Sequence, residues 1–230
     1  MNPLVFVAGA TGYTGSALVS CLRTQGVATT AHVRPDSSKL AVFRARFEAE
    51  GAEVDTNPWD LDAMTQTLRA RAPTHVFALL GTTRRRGAQD PSATYATVDY
   101  GLTKLLLDAC GASGHRPRFV YLSSMGVGPK ARGAYLSLRH KLETELAASG
   151  LPFTIVRPAF ITGDDRGETR VGERVGAVLT DGVFAALDLF GAGLTRRYGS
   201  LTGAQLAAAL ARAAFDPASE GRTLEREGLA

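Results

Sequence analysis

The sequence predicts a doubly wound, parallel α/β fold with helices on both faces of one sheet, and three observations carry that prediction. Extended apolar runs alternate with helical patterns from Leu4 to Val156, which calls for right-handed βαβ crossovers and a parallel sheet. The run from Val27 to Val33 shows little in-and-out alternation, as expected of a strand covered on both faces. The first strand also leads straight into Gly9-Ala10-Thr11-Gly12-Tyr13-Thr14-Gly15, and glycines between a strand and a helix start are the context of a dinucleotide-binding loop. At 230 residues the chain is read as one domain, 1–230, of Rossmann-like type.

The elements follow in order. Leu4 to Ala8 is the first strand, and Ala17, Leu18, Cys21 and Leu22 mark the helix that Gly26 closes. After the second strand, Arg34 leads into Pro35-Asp36-Ser37-Ser38, turn and cap material before a helix through Phe43 and Phe47. Gly51 stops that helix, and Glu53-Val54-Asp55 is a short third strand. Asp60-Leu61-Asp62 then opens a helix through Met64 and Leu68, which ends at Pro73. His75 to Leu80 is the fourth strand, followed by the loop Gly81 to Gly87. A long helix is expected from Pro91 to Ala112, with Val98, Leu102, Leu105 and Leu106 facing inward. Arg118 to Ser123 is the fifth strand. A helix through Tyr135, Leu138, Leu142 and Leu146 ends at Gly150, and Phe153 to Arg157 is the sixth strand.

Beyond Pro158 the rhythm breaks. The expectation is a polar loop from Gly163 to Gly172, a helical stretch from Val175 to Phe190, a helix from Leu201 to Phe215 capped by Thr202, and an edge strand at Thr223-Leu224-Glu225. This segment, 158–230, is too short for an independent domain and is expected to serve as a short substrate or lid segment over the carboxyl ends of the strands.

Composition narrows the function classes. A formal net charge of +4 without an aromatic-interleaved basic stripe argues against nucleic acid as a partner. The same charge suits anionic cofactors or acidic partners. Cys21 and Cys110 lie in helical apolar patterns and read as reduced core residues. No run reaches the length of a membrane span, and the first residues lack the pattern of a signal peptide, so the expected location is cytoplasmic. His32, His75, His115 and His140 show no metal-ligand spacing, and no metal is expected.

The loop residues give the cofactor. Gly9 permits a tight turn, Gly12 lets the backbone approach a pyrophosphate, and Gly15 allows close packing of helix on strand. Thr11, Tyr13 and Thr14 complete the binding loop, and the helix start offers unpaired N–H groups to phosphate. Where a carboxylate after the second strand would meet a bare ribose, this chain has Arg34, with no acid until Asp36. A guanidinium fork suits a 2′-phosphate, so NADP is expected in preference to NAD. Asp60 and Leu61 stand where the adenine edge would lie, although Asp60 reads almost equally as a helix cap. Leu80, Gly81 and Thr82 end the fourth strand beneath the expected ribose, with Gly81 permitting close approach of the backbone to the ligand.

With these residues assembled, the chain resembles the short-chain dehydrogenase/reductase superfamily, in its atypical NAD(P)-binding branch. The loop Gly9 to Gly15 has the spacing of the atypical and extended branches. Gly81-Thr82-Thr83-Arg84, Tyr121-Leu122-Ser123-Ser124 with Gly126, and Arg157-Pro158 before an acidic loop look similar to the oxidoreductase-like proteins named for interaction with the HIV Tat protein. The resemblance implies a catalytic serine, tyrosine and lysine. Ser124 matches the serine, with Ser123 a substitute, and Tyr135 matches the tyrosine. The lysine position, four residues on, holds Arg139, while Lys141 falls on another helix face. Arg139 can supply charge and bind ribose hydroxyls, but its pKa is too high for a proton relay. The plainer alternative pairs it with Glu143 at the surface. Arg84, Arg85 and Arg86 can reach phosphates or an acidic substrate, or can simply be solvated.

Two functions follow as expectations. One is an NADP-dependent oxidoreductase acting on a small carbonyl or alcohol of unknown identity, with Ser124 orienting the substrate oxygen, Tyr135 donating the proton and Arg139 favouring the phenolate. The alternative is a non-catalytic NADP(H) sensor or assembly factor that binds a protein partner.

Overall fold

The structure is a computed structural model, and it describes residues 2–82, 90–159, 161–162 and 201–229. Seven strands form one parallel sheet: β1 (Leu4–Ala8), β2 (Ala28–His32), β3 (Glu53–Asp55), β4 (His75–Ala78), β5 (Arg118–Leu122), β6 (Phe153–Arg157) and β9 (Arg222–Glu225). Their spatial order is β3-β2-β1-β4-β5-β6-β9. Two short strands, β7 (Ile161–Thr162) and β8 (Leu201–Thr202), pair apart from it. The chain leaves β1 first to one side and then to the other. Val5 therefore pairs with Thr29 of β2 and with His75 of β4. That reversal opens a crevice at the carboxyl ends of β1 and β4, where ligands bind in such sheets.

Alternate residues of β1 feed two cores. Val5 and Val7 face one side, packed with Leu18 and Leu22 of α1 (Tyr13–Thr24), Phe47 of α2 (Leu40–Ala49), and Leu206 and Leu210 of α6 (Gly203–Phe215). Phe6 and Ala8 face the other, against Met64 and Leu68 of α3 (Leu61–Arg71), Leu106 and Cys110 of α4 (Thr103–Ala112), and Leu142 and Leu146 of α5 (Ala134–Ala148). Both faces of β1 are therefore buried, which is why its sequence is continuously apolar.

One expectation changes in detail, and two in the tail hold. The long helix does not begin at Pro91. Thr94 accepts from Thr97 N, caps the element, and starts a π-helical stretch, Tyr95–Leu102, that runs into α4. The wider π turn rotates the side chains that follow and is a frequent feature of functional sites. In the tail, Thr202 caps α6 together with Gln205, and β9 adds to the sheet edge beside β6. The expected Gly163–Gly172 loop and Val175–Phe190 helix lie outside the described residues, as do Arg84, Arg85 and Arg86.

A buried imidazole and a half-buried one give the fold a pH dependence. His32 donates from Nε2 to the Asn57 carbonyl at 2.9 Å, and His75 donates from Nε2 to the Ala214 carbonyl at 3.1 Å. Burial holds both below the usual histidine range, with Arg118 adding to the effect at His75. A lowered folded pKa means that stability is fully present above the unfolded value of about 6.5. It is lost as pH falls below that value, because the unfolded chain takes up protons the fold resists. The melting temperature is expected to fall between pH ~7 and ~5, and to fall less in a His32→Gln/His75→Gln variant; equal slopes would contradict this account.

Candidate functional site

The glycine loop is fixed by backbone contacts. Gly9 has φ +84, and a Cβ on it would lie 2.5 Å from the Leu79 carbonyl oxygen just beyond β4. The loop therefore lies directly against the end of β4. Gly12 N donates to Gly9 O at 3.0 Å, closing the turn. Gly12 then caps α1 without a side chain, and no acid occupies the first turn of α1. The N–H groups of that turn are thus not capped by a side chain, and the partial positive charge is not neutralised locally. Thr11 and Gly12 are exposed there, whereas Thr14 and Gly15 are buried. This end fits the diphosphate of a dinucleotide. The Tyr13 hydroxyl accepts from Gly203 N at 3.2 Å and its ring packs on Gly203, which ties the start of α1 to the start of α6.

Arg34 follows β2 and lies half-exposed, with Nη1 3.0 Å from the Asp36 carboxylate. A surface pair of this kind is weak, and the guanidinium stays available to a stronger anion. Asp60 accepts from Ala63 N at 3.0 Å and so caps α3, with Leu61 exposed beside it. Leu80, Gly81 and Thr82 follow the carboxyl end of β4, with Gly81 exposed and its two neighbours half-buried. Close approach to a ligand is the sequence-based reason for Gly81, and the structure adds one within the protein. A Cβ there would lie 3.3 Å from Asp99 Oδ1 and 3.7 Å from Arg139 Nη2.

Arg139 is the largest departure from expectation. It is buried, not on the surface, and it does not pair with Glu143. Its Nη2 donates to Asp99 Oδ1 at 3.0 Å, and Nη1 donates to the Leu122 carbonyl at 2.6 Å and the Tyr121 hydroxyl at 3.1 Å. Burial pushes the Tyr121 phenol up to about 12, so it stays neutral against this cation. Glu143 is buried as well, and it pairs with Arg157 at 2.5 Å while accepting from Ser123 Oγ at 2.5 Å. A Ser123 so committed leaves Ser124 as the freer hydroxyl; Ser124 Oγ donates only weakly to its neighbour's carbonyl at 3.4 Å.

Tyr135 is half-buried between two groups. The Arg139 guanidinium carbon sits 4.7 Å from its ring centroid, and the Tyr95 ring lies 5.1 Å away. The cation thus rests on the phenol's ring. Lys141 turns elsewhere, over the Tyr100 ring at 4.6 Å, as its spacing predicts. The structure brings Ser124, Tyr135 and Arg139 to the carboxyl ends of β4 and β5, on the same side as the glycine loop. Sequence reasoning missed Asp99 and the pairing of Glu143 with Arg157. The signal for Asp99 was a carboxylate three and seven residues before Leu102 and Leu106, on the apolar face. Among the described residues no cluster of side chains could hold a metal ion.

The family described as NAD(P)H-binding matches residues 9–217. The chain belongs to the NAD(P)H-binding family. An uncharacterized chloroplastic protein of Arabidopsis thaliana is 31% identical over 176 residues, covering 70% of this chain and 60% of that protein. Protein TIC 62, chloroplastic, of Oryza sativa subsp. japonica is 27% identical over 174 residues, covering 68% of this chain and 35% of its own length. The chain therefore spans less than two thirds of either relative. Among solved structures, UDP-glucose 4-epimerase from Brucella ovis in complex with NAD superposes with a TM-score of 0.63 at 20% identity, covering 92% of this chain and 73% of its own. UDP-N-acetylglucosamine 4-epimerase from Bacillus cereus gives 0.62 at 16% identity, covering 96% and 76%. These likenesses show the Rossmann-like fold of the NAD(P)H-binding family and agree with the short-chain dehydrogenase/reductase resemblance. No helix among the described residues is long and apolar enough to cross a membrane.

Proposed function

We propose that this chain holds NADP(H) and presents the loaded form to a protein partner, without turning the cofactor over through a tyrosine–lysine relay. The observation that carries this reading is the commitment of Arg139. Its charge is matched by Asp99, and three of its N–H donors go to Asp99, Leu122 and Tyr121. A guanidinium so held neither releases a proton near neutrality nor spares these donors for a ribose. The residues that would hold the cofactor are the backbone of Gly9 to Gly15, Arg34 at the 2′-phosphate, Asp60 and Leu61 near the adenine, and Leu80 to Thr82 at the far ribose.

A second reading rests on Ser124 and Tyr135. Ser124 follows β5 closely, and Tyr135 carries the Arg139 guanidinium against its ring; this supports an NADP-dependent oxidoreductase acting on a small carbonyl or alcohol. The bound nicotinamide would supply the hydride chemistry. Ser124 would orient the substrate oxygen, and Tyr135 would carry the proton beside the Arg139 charge.

Binding and turnover separate the two. NADPH is expected to bind the parent at least about tenfold more tightly than NADH, and Arg34→Ala to erase that preference, from the loss of charge-assisted hydrogen bonds. Equal parental affinities would remove the 2′-phosphate assignment. NADPH oxidation across carbonyl substrates is expected to stay at background, with partner capture stronger when NADPH is present. Turnover abolished in Tyr135→Phe would instead establish the oxidoreductase reading, and capture indifferent to NADPH would count against the sensor.

A further inference from the structure

Three elements meet on one buried carboxylate. Asp99 is 3% exposed and sits in the π-helical stretch. Its Oδ2 accepts from Thr82 N at 2.8 Å, in the loop after β4. Its Oδ1 accepts from Arg139 Nη2 at 3.0 Å, on α5. Arg139 in turn donates to the carbonyl of Leu122, the last residue of β5. A second bond ties the same loop to the residues just before that stretch, since Thr82 Oγ1 donates to the Ala93 carbonyl at 3.2 Å. Gly81, beside Thr82, leaves the room that the pair occupies.

Stability alone explains this arrangement poorly. A buried ion pair offsets a large desolvation cost and is often no more stable than apolar side chains of the same volume. Here the compensation is incomplete, because Arg139 Nε is buried with no hydrogen-bond partner. Yet the pair stands at the carboxyl ends of β4 and β5, one residue from the wall of the crevice that faces the glycine loop. Such a carboxylate can set where that wall lies, much as outer partners orient the groups that touch a ligand.

We propose that Asp99 is a positioning residue for the nicotinamide half of the dinucleotide: through Thr82 and Arg139 it fixes the loop after β4 against α5. This rests on the reading that the chain binds NADP(H). The adenosine half meets the glycine loop, Arg34 and Asp60, none of which Asp99 touches. A ligand carrying both halves therefore senses Asp99, and one carrying only the adenosine half does not.

The test compares NADPH with adenosine 2′,5′-bisphosphate, which lacks the nicotinamide half, by calorimetry on the full chain. Asp99→Asn is expected to weaken NADPH about tenfold, a change of about 1.4 kcal/mol. Its affinity for the bisphosphate should stay within about twofold of the parent, by the same arithmetic. Arg139→Lys keeps a cation beside Asp99 and should retain most of the NADPH affinity. Emission of bound NADPH should also shift towards that of free cofactor in Asp99→Asn, a nicotinamide signature that general loosening of the fold does not single out. Equal losses for both ligands, or none for either, would overturn the proposal. Should Asp99→Asn not fold, Thr82→Pro deletes the gripped N–H with the ion pair intact, and the same split between ligands is expected. A parent that binds neither ligand would overturn the NADP(H) reading itself, a result distinct from any pattern among the variants.

Discussion

Arg139→Ala is expected to lower the unfolding free energy by about 3–5 kcal/mol near neutral pH, the range for removing one partner of a buried ion pair. The loss comes chiefly from what stays behind. Asp99 is buried, and burial already holds its carboxyl above the usual aspartate range in spite of the nearby guanidinium. Without Arg139 that displacement grows. A carboxyl whose folded pKa is raised contributes stability below its unfolded value of about 3.9, and loses it as pH rises through the folded value. The variant's deficit should therefore be greatest near pH 7 and shrink as pH falls towards about 4.5. Denaturant unfolding at the two pH values checks the sign. The double variant Arg139→Ala/Asp99→Ala should recover part of the loss, giving a coupling of about 1–3 kcal/mol. A deficit independent of pH, with strictly additive single changes, would mean that the pair's charge is not what the fold depends on.

The same residue shows where sequence reading stops. The alternation of strands and helices, the glycine loop, the Thr202 cap and the final edge strand were legible because each is written in local pattern. Continuous apolar runs report strands buried on both faces, and a threonine three residues before a glutamine reports a cap. Glu53–Asp55 and Phe153–Arg157 fall where periodicity puts them. Arg139 was legible only in part. Its spacing from Tyr135 places it on the tyrosine's helix face, and the structure agrees. Its partner was not legible, because Asp99 is 40 residues away and the contact depends on how α5 and the π-helical stretch pack. Glu143, four residues from Arg139, was the local alternative, and it is taken by Arg157 across from β6. The start of the long helix failed for a related reason. Pro91 suits a first helical turn, but Thr94 accepts from Thr97 N and takes the cap instead. Gly81 shows the opposite case: its residue type reads locally as a close approach, but the Asp99 and Arg139 groups that crowd it come from distant elements.

Gly15→Ala is the second large expectation, and it bears on the crevice itself. The added Cβ would lie 2.1 Å from Gly9 O, 2.9 Å from Gly9 C and 3.0 Å from Ala10 Cα. All three are backbone atoms of the loop, so no side chain can rotate aside. Alanine favours a helix over glycine by roughly 0.5–1 kcal/mol, but overpacking of this kind costs about 1–3 kcal/mol or more. The net change should be destabilising. The more telling consequence is for the ligand. Relief requires the start of α1 to part from Gly9, and those two groups together form the turn that would hold the phosphates in the proposed NADP(H) site. Dinucleotide affinity should fall at least about tenfold, more than the lost stability alone implies. Gly26→Ala supplies the control. It has φ +72 but open space around its Cβ, so it should cost about 1–2 kcal/mol through backbone strain and leave affinity at the parental level. Gly12→Ala should fall between them, since its Cβ would meet only Gly9 O, at 3.2 Å. Parental affinity in Gly15→Ala would mean that the loop can open without losing its ligand, and that the close contact of α1 with Gly9 serves folding alone.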